Sequence, residues 1–192
     1  MTNEKTSDTY EITPESELEL TIISSPVFLT SASFGNQRKG HPEGDIGLHI
    51  KQILDFINKQ GWNAYRTNLR LLALLHDLGK PLVIYSPNGN VVGKGHSMHS
   101  VDIAKEFTSD ERLLSLIGVH DKYYHFYRDD NVGRFKRDKF LRVYRDLDLN
   151  TLIRFNYADS NNREKDSVRW LEDKCQDFGL IDVKIYETDL KK

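Results

Sequence analysis

The strongest constraint on the fold is that ionisable residues sit on apolar helical stripes. Ile46, Ile50, Ile53, Leu54 and Ile57 recur at the three- and four-residue spacing of one helix face, which ends near Gly61. A second helix is expected from Arg66 to Leu78, with Leu69, Leu72 and Ala73 on one face and Gly79 and Pro81 stopping it. His49 falls three residues after Ile46, and His76 four after Leu72. His120 follows Leu116 by four and Leu113 by seven, His96 precedes Ile103 by seven, and Asp159 follows Phe155 by four. These five groups therefore point inward from five helices or helix ends. One buried histidine is ordinary. Five buried ionisable groups each cost several kcal/mol unless paired, hydrogen-bonded or metal-bound, and convergence on a cation solves all five together.

The remainder of the chain supports a mainly α class. Helical spacing resumes at about 97–107, again after the Ser109-Asp110-Glu111 cap, and at about 137–147, 149–160 and 163–178. Two β-branched runs around an Asn-Gly turn predict a small β-hairpin or structured loop near 82–94. The stretch TIISSPVFLTSASF reads as extended chain or short helical turns. Residues 1–20 carry six acids against Lys5, so they read as a flexible acidic N-terminal arm. A single helical domain is expected over 21–180, with a C-terminal tail or strand over 181–192. At 192 residues one domain is the natural size.

Composition narrows the chemistry. The net charge of -2 excludes an overall basic nucleic-acid binder, and no apolar run is long enough to span a bilayer. The polar start shows no signal core, and a cytoplasmic protein with no membrane partner is expected. Cys175 is the only cysteine, which excludes an intrachain disulfide and a cysteine zinc cluster and leaves a small packing residue. A metal site would then be built from imidazole and carboxylate, donors that suit a divalent ion such as Mn, Ni, Mg, Fe, Co or Zn.

The order of these residues resembles the HD-domain metal-dependent phosphohydrolases: His49, then His76-Asp77 within LLALLHDLGKP, then Asp159 in YADSNN. PEGDIGLH before the first histidine, Gly95-His96 and Val119-His120-Asp121 look like the HD domain attached to some bacterial CCA-adding tRNA nucleotidyltransferases. The likeness covers about residues 40 to 165. It implies an HD-type helical bundle in which His49, His76, Asp77 and Asp159 are primary ligands, and His96 and His120 complete a second metal site. It also implies that Lys80 faces the substrate phosphate. Hydrolysis of nucleotide or RNA-end phosphates, by a phosphatase or phosphodiesterase reaction, is the expected activity. Asp77, Lys80, His96 and His120 are the expected catalytic residues, with Asp77 orienting or deprotonating the attacking water. The chain departs from relatives in several ways. It has no nucleotidyltransferase head, so it looks free-standing. Gly79-Lys80-Pro81 stands where guanosine tetraphosphate hydrolases carry a Glu-Asp pair, and the Gly-Tyr-Pro signature of cyclic-di-GMP phosphodiesterases is absent. Asp121 occupies a position where two-metal members often have histidine.

Other candidates have plainer readings. His41 is expected in a loop, His99 beside a ligand or the substrate, and His125 in packing or at the rim. Glu43 and Asp45 are expected to cap and charge a helix start. Residues 122–145 hold eight Lys or Arg interleaved with seven aromatic residues. They read either as a rim that stacks bases and contacts nucleic acid, or as an amphipathic helix pair whose aromatics are core, which is the favoured reading. The alternative to an enzyme is a non-catalytic HD module that keeps a metal while binding a nucleotide or protein partner. Oligomeric state is not readable from the sequence.

Overall fold

The structure is a computed structural model that describes residues 11–35, 44–160 and 165–186. Among these, the chain runs through ten α-helices: α1 Glu17–Ser24, α2 Pro26–Ala32, α3 Ile46–Asn58, α4 Arg66–Leu75, α5 His96–Ala104, α6 Glu111–Val119, α7 Lys122–Asn131, α8 Arg137–Tyr144, α9 Leu149–Asp159 and α10 Asp166–Asp177. The hairpin is present, with β1 Ile84–Tyr85 antiparallel to β2 Val91–Val92 and Ile84 opposite Val92. This is the expected helical bundle with a small hairpin. No helix among the described residues is long and apolar enough to cross a membrane.

The helix starts follow from local chemistry. Asp45 accepts a hydrogen bond from the Leu48 amide at 2.7 Å to begin α3, as expected of a cap. Asp110 caps α6 through the Arg112 amide at 2.9 Å, and Asp148 caps α9 through the Thr151 amide at 3.1 Å. The TIISSPVFLTSASF stretch forms the end of α1 and all of α2. Ser25 caps the second helix and Pro26 occupies its first turn, where the missing amide proton costs nothing.

The acidic segment departs from the mobile arm expected over 1–20. Residues 1–10 lie outside the described residues, but 11–20 are folded against α4. Glu19 is buried and takes two hydrogen bonds from Arg70, at 2.8 and 2.7 Å, while Glu15 pairs with Arg66. Local counting sees like charges repelling, whereas the partners lie some fifty residues downstream.

Helices α3, α4 and α9 form the centre of the molecule. Ile50, Ile53 and Ile57 meet Leu69, Leu72 and Ala73, with Leu152, Phe155 and Ala158 closing the core. After α4 the chain turns at His76–Gly79 instead of staying helical to Leu78. A Cβ on Gly79 would lie 2.3 Å from the His96 carbonyl oxygen, so only glycine lets the start of α5 approach this turn. The Gly79 amide donates to Ser100 Oγ at 2.9 Å, and Ser31 Oγ donates to the Leu78 carbonyl at 2.9 Å. Both bonds hold the turn in place.

Candidate metal centre

Three helix ends, the inner face of α3 and the turn after α4 bring the histidines together. His49 comes from within α3, His76 and Asp77 from the turn after α4, His96 from the first position of α5, His120 from the end of α6, and Asp159 from the end of α9. His49, His76, Asp77 and His120 are buried; His96 and Asp159 face partly outward. His49 Nε2 meets Asp159 Oδ1 at 2.8 Å. His76 Nε2 lies 3.2 Å from Asp77 Oδ2 and 3.9 Å from Asp159 Oδ1. These residues form one donor group, His49–His76–Asp77, with Asp159 against its histidines. Asp77 turns its other oxygen, Oδ1, to a second group, standing 3.5 Å from His96 Nε2 and 3.7 Å from His120 Nε2. One carboxylate is thus shared by both groups.

The backbone sets the orientation of two rings. His76 Nδ1 lies 3.1 Å from the Ala73 carbonyl, and His120 Nδ1 lies 2.8 Å from the Ile117 carbonyl. A carbonyl can only accept, so each Nδ1 carries the proton, and a neutral ring then presents its Nε2 lone pair to the cluster. Phe155 packs edge-on against His76 with centroids 5.1 Å apart, fixing the ring from behind. His76 Nε2 is fully enclosed and has no well-aligned hydrogen bond; it faces Asp77 Oδ2 at 3.2 Å and Asp159 Oδ1 at 3.9 Å. A buried lone pair facing two carboxylates is unfavourable until a proton or a metal cation stands between them.

The electrostatics point the same way. Burial pulls the His76 pKa down, but the Asp77 and Asp159 carboxylates outweigh it and leave the value raised. Burial pushes Asp77 upward, yet His76 and the Lys80 ammonium hold its carboxyl well below the usual range. Field and geometry together favour positive charge in front of His76. His96 and His120 are lowered, both chiefly by burial, which keeps their rings neutral and able to donate a lone pair. Imidazole and carboxylate donors, a buried ring nitrogen facing two carboxylates and carbonyl-fixed rings all fit a divalent cation. Lys80 ion-pairs with Asp77 at the edge of the cluster.

The remaining sequence candidates lie elsewhere or outside the described residues. His99, half-buried, and His125, exposed, belong to neither donor group, and Asp45 serves as the α3 cap. His41 and Glu43 fall outside the described residues. Asp121, singled out in the sequence only as a departure, lies with its Oδ2 3.6 Å from His96 Nε2. Its position directly after an inward histidine was the available signal. In 122–145, Phe126, Phe140 and Tyr144 are buried, with Phe140 and Tyr144 centroids 4.6 Å apart. Arg137 lies over Phe178 and Lys139 over Phe126, at 4.9 and 5.7 Å from the ring centroids. Most of the segment's rings are therefore core, the reading favoured from the sequence, with Tyr124 left exposed.

The family model for the HD domain matches residues 45–153, more than half of the chain. A 67-residue stretch is 39% identical to the multifunctional CCA protein of Burkholderia lata, covering 34% of this chain and 14% of that protein. The corresponding proteins of Burkholderia cenocepacia and Burkholderia mallei match over 67 residues at 37% and 39% identity, with the same coverage of 34% and 14%. The matched stretch is thus a small fraction of those relatives. No solved structure matches the chain.

Proposed function

Because the chain belongs to the HD domain family, a superfamily of metal-dependent phosphohydrolases, we propose that it hydrolyses a nucleotide or RNA-end phosphate at this centre. In this reading His49, His76, Asp77 and Asp159 hold the primary divalent ion, and His96 and His120 hold a second ion or contact the substrate. The enclosed Nε2 of His76, aimed between two carboxylates, is the observation that carries the proposal. A bound divalent ion would neutralise charge on the phosphoryl oxygens and lower the pKa of a coordinated water. Asp77 would hold that ion between the two donor groups and orient the attacking water. Lys80, already paired with Asp77, places an ammonium where a phosphate oxygen would arrive.

The side chains of His96 and Lys80 are 25% and 24% exposed, so the cluster opens to solvent. A purely structural ion would be enclosed, and the opening supports catalysis over a non-catalytic module. The curated relatives carry the name of CCA proteins, which supports an RNA end or a nucleotide as substrate. Contact with a longer RNA through 122–145 would be electrostatic, from exposed Arg134, Lys136 and Arg142, since most of the segment's aromatics are buried.

The test is turnover of a panel of nucleotides and RNA ends with Mn, Ni, Mg, Fe, Co and Zn in turn. We expect hydrolysis of at least one phosphate ester only when an ion is supplied, and none in Asp77→Ala. Full activity of Asp77→Ala would overturn the assignment.

A further inference from the structure

We propose that the outward face of α7 binds the end of a single-stranded RNA whose phosphate enters the metal centre. Tyr124 stacks on the terminal base, and Arg128 holds the phosphate that links it to the neighbouring nucleotide. The inference rests on the proposed function above and narrows its substrate to an RNA end. Asp121 marks where this face begins. Its backbone is helical, its carbonyl accepts from the Tyr124 amide at 3.2 Å, and its Oδ2 lies 3.6 Å from His96 Nε2 in the cluster. Residues three, four and seven positions further on share a helix face with it, and these are Tyr124, His125 and Arg128. All three are exposed, while Tyr123 and Phe126 are buried on the opposite side.

The face therefore starts at the open side of the cluster, where both His96 and Asp121 are partly exposed. A phosphate entering there leaves the rest of its molecule outside, over the first turns of α7. At 1.5 Å per residue, Tyr124 and Arg128 stand about 4.5 and 10.5 Å beyond Asp121 along the helix axis. The order along the face is thus cluster, aromatic ring, cation, which matches the order of terminal phosphate, base and next phosphate in an RNA end.

Neither side chain is engaged elsewhere among the described residues. Tyr127 packs against Trp170 with centroids 5.9 Å apart, whereas the Tyr124 side chain is about half exposed and meets no ring or hydrogen-bond partner. Arg128 makes no ion pair, because the two acids beside it are taken. Asp129 faces Arg134 at 3.7 Å, and Asp130 accepts from Trp170 Nε1 at 2.7 Å and pairs with Lys174 at 3.3 Å. An exposed aromatic ring stacks on any base, and an unpaired guanidinium takes a phosphate through two parallel hydrogen bonds. Asp121 repels a second phosphate at the mouth itself, so attraction for one must come from further along, where Arg128 is the only Lys or Arg on this face. A mononucleotide would use Tyr124 alone, and an RNA end uses both.

The experiment measures binding of the full chain, with Mn present, to a labelled RNA hexamer ending in a phosphonate, which binds without being hydrolysed, and to the matching mononucleoside phosphonate. Tyr124→Ala should weaken both about tenfold, Tyr124→Phe should restore them, and a hexamer lacking its terminal base should not distinguish Tyr124→Ala from the wild type. Arg128→Ala should cost the hexamer at least about fivefold more than the mononucleoside, and should lower the salt dependence of hexamer binding by about 0.7 in log–log slope. Both positions are exposed, and unchanged thermal unfolding reports an intact fold. Undiminished hexamer binding in Tyr124→Ala, or an unchanged salt slope in Arg128→Ala, overturns the inference. A wild type that binds the hexamer no better than the mononucleoside also overturns it and leaves the proposed hydrolase standing. A chain that binds the hexamer as expected but turns over no phosphate ester with any ion keeps the α7 surface and overturns the hydrolase.

Discussion

Between α3, α4, α6 and α9 the interior holds His49, His76, Asp77 and His120, while between α7, α8 and α10 it holds Phe126, Phe140, Tyr144 and Leu171 at similar burial. The aromatic region packs ring against ring, although the buried Tyr144 hydroxyl within it makes no hydrogen bond among the described residues. Its rings meet edge-on, with Phe126 5.4 Å from Phe140 and Phe135 5.7 Å from Trp170, and Arg137, Lys139 and Lys174 lie over ring faces. The polar region gathers three carboxylates beside four imidazoles. Both are enclosed by helices, so enclosure alone does not separate a core from a site. What separates them is the kind of group enclosed: rings that pack on one another in one region, lone-pair donors and carboxylates drawn to one point in the other.

Removing a part from each region should therefore have opposite signatures. Phe140→Ala should cost about 3–5 kcal/mol of stability in denaturant unfolding while leaving ion stoichiometry unchanged. Loss of ion binding at full stability in that variant would erase the division of labour. A saturating ion should do the reverse and act only through the polar centre. At a hundred times its dissociation constant, a divalent ion should raise wild-type stability by about 2.7 kcal/mol and Asp77→Ala not at all. An equal rise in both would place the binding elsewhere.

The smallest effect lies outside both regions, at the packed acidic segment. The hydrogen bond from Arg66 is the main cause that holds the Glu15 carboxyl below its ordinary pKa of 4.5, against a smaller upward push from burial. A depressed carboxylate stabilises above its unfolded pKa, and that contribution fades as pH falls through the folded value. Glu15→Gln should cost no more than a few tenths of a kcal/mol at pH 7, because the pair is well exposed to solvent. The gap between variant and wild type should close in urea unfolding as pH falls below about 4.5. A gap that widens with acid would mean the pairing is not what holds the segment.

How much could be read from the sequence depended on the range of the interaction. The helical class, the α3 face and the inward placement of His49, His76 and His120 follow from three- and four-residue spacing, which is a local property. The hairpin followed from Asn88-Gly89, and Gly89 has the positive φ of 77° that such a turn demands. The β-branched and Pro-punctuated stretch 21–34 left extended chain and short helical turns open, and the Ser25 cap with Pro26 in the first turn decides for a helix. The pairing of Glu19 with Arg70 was not legible, because 51 residues separate them and no periodicity links the two. Asp121 was hidden for another reason: it sits past the end of α6, where helical spacing no longer says which way a side chain faces. The aromatics of 122–145 showed alternating charge and rings. Only packing against Trp170 and Phe178 decides that most are interior.

Metal content is the most direct test of whether the polar region is a site. Wild-type and Asp77→Ala chains would be dialysed against a divalent ion, freed of loose metal and measured by mass spectrometry, with helix content checked by circular dichroism. The account predicts at least one ion per wild-type chain and clearly less than one in Asp77→Ala at unchanged helix content. A wild type that retains none, or a variant that retains as much, would contradict it.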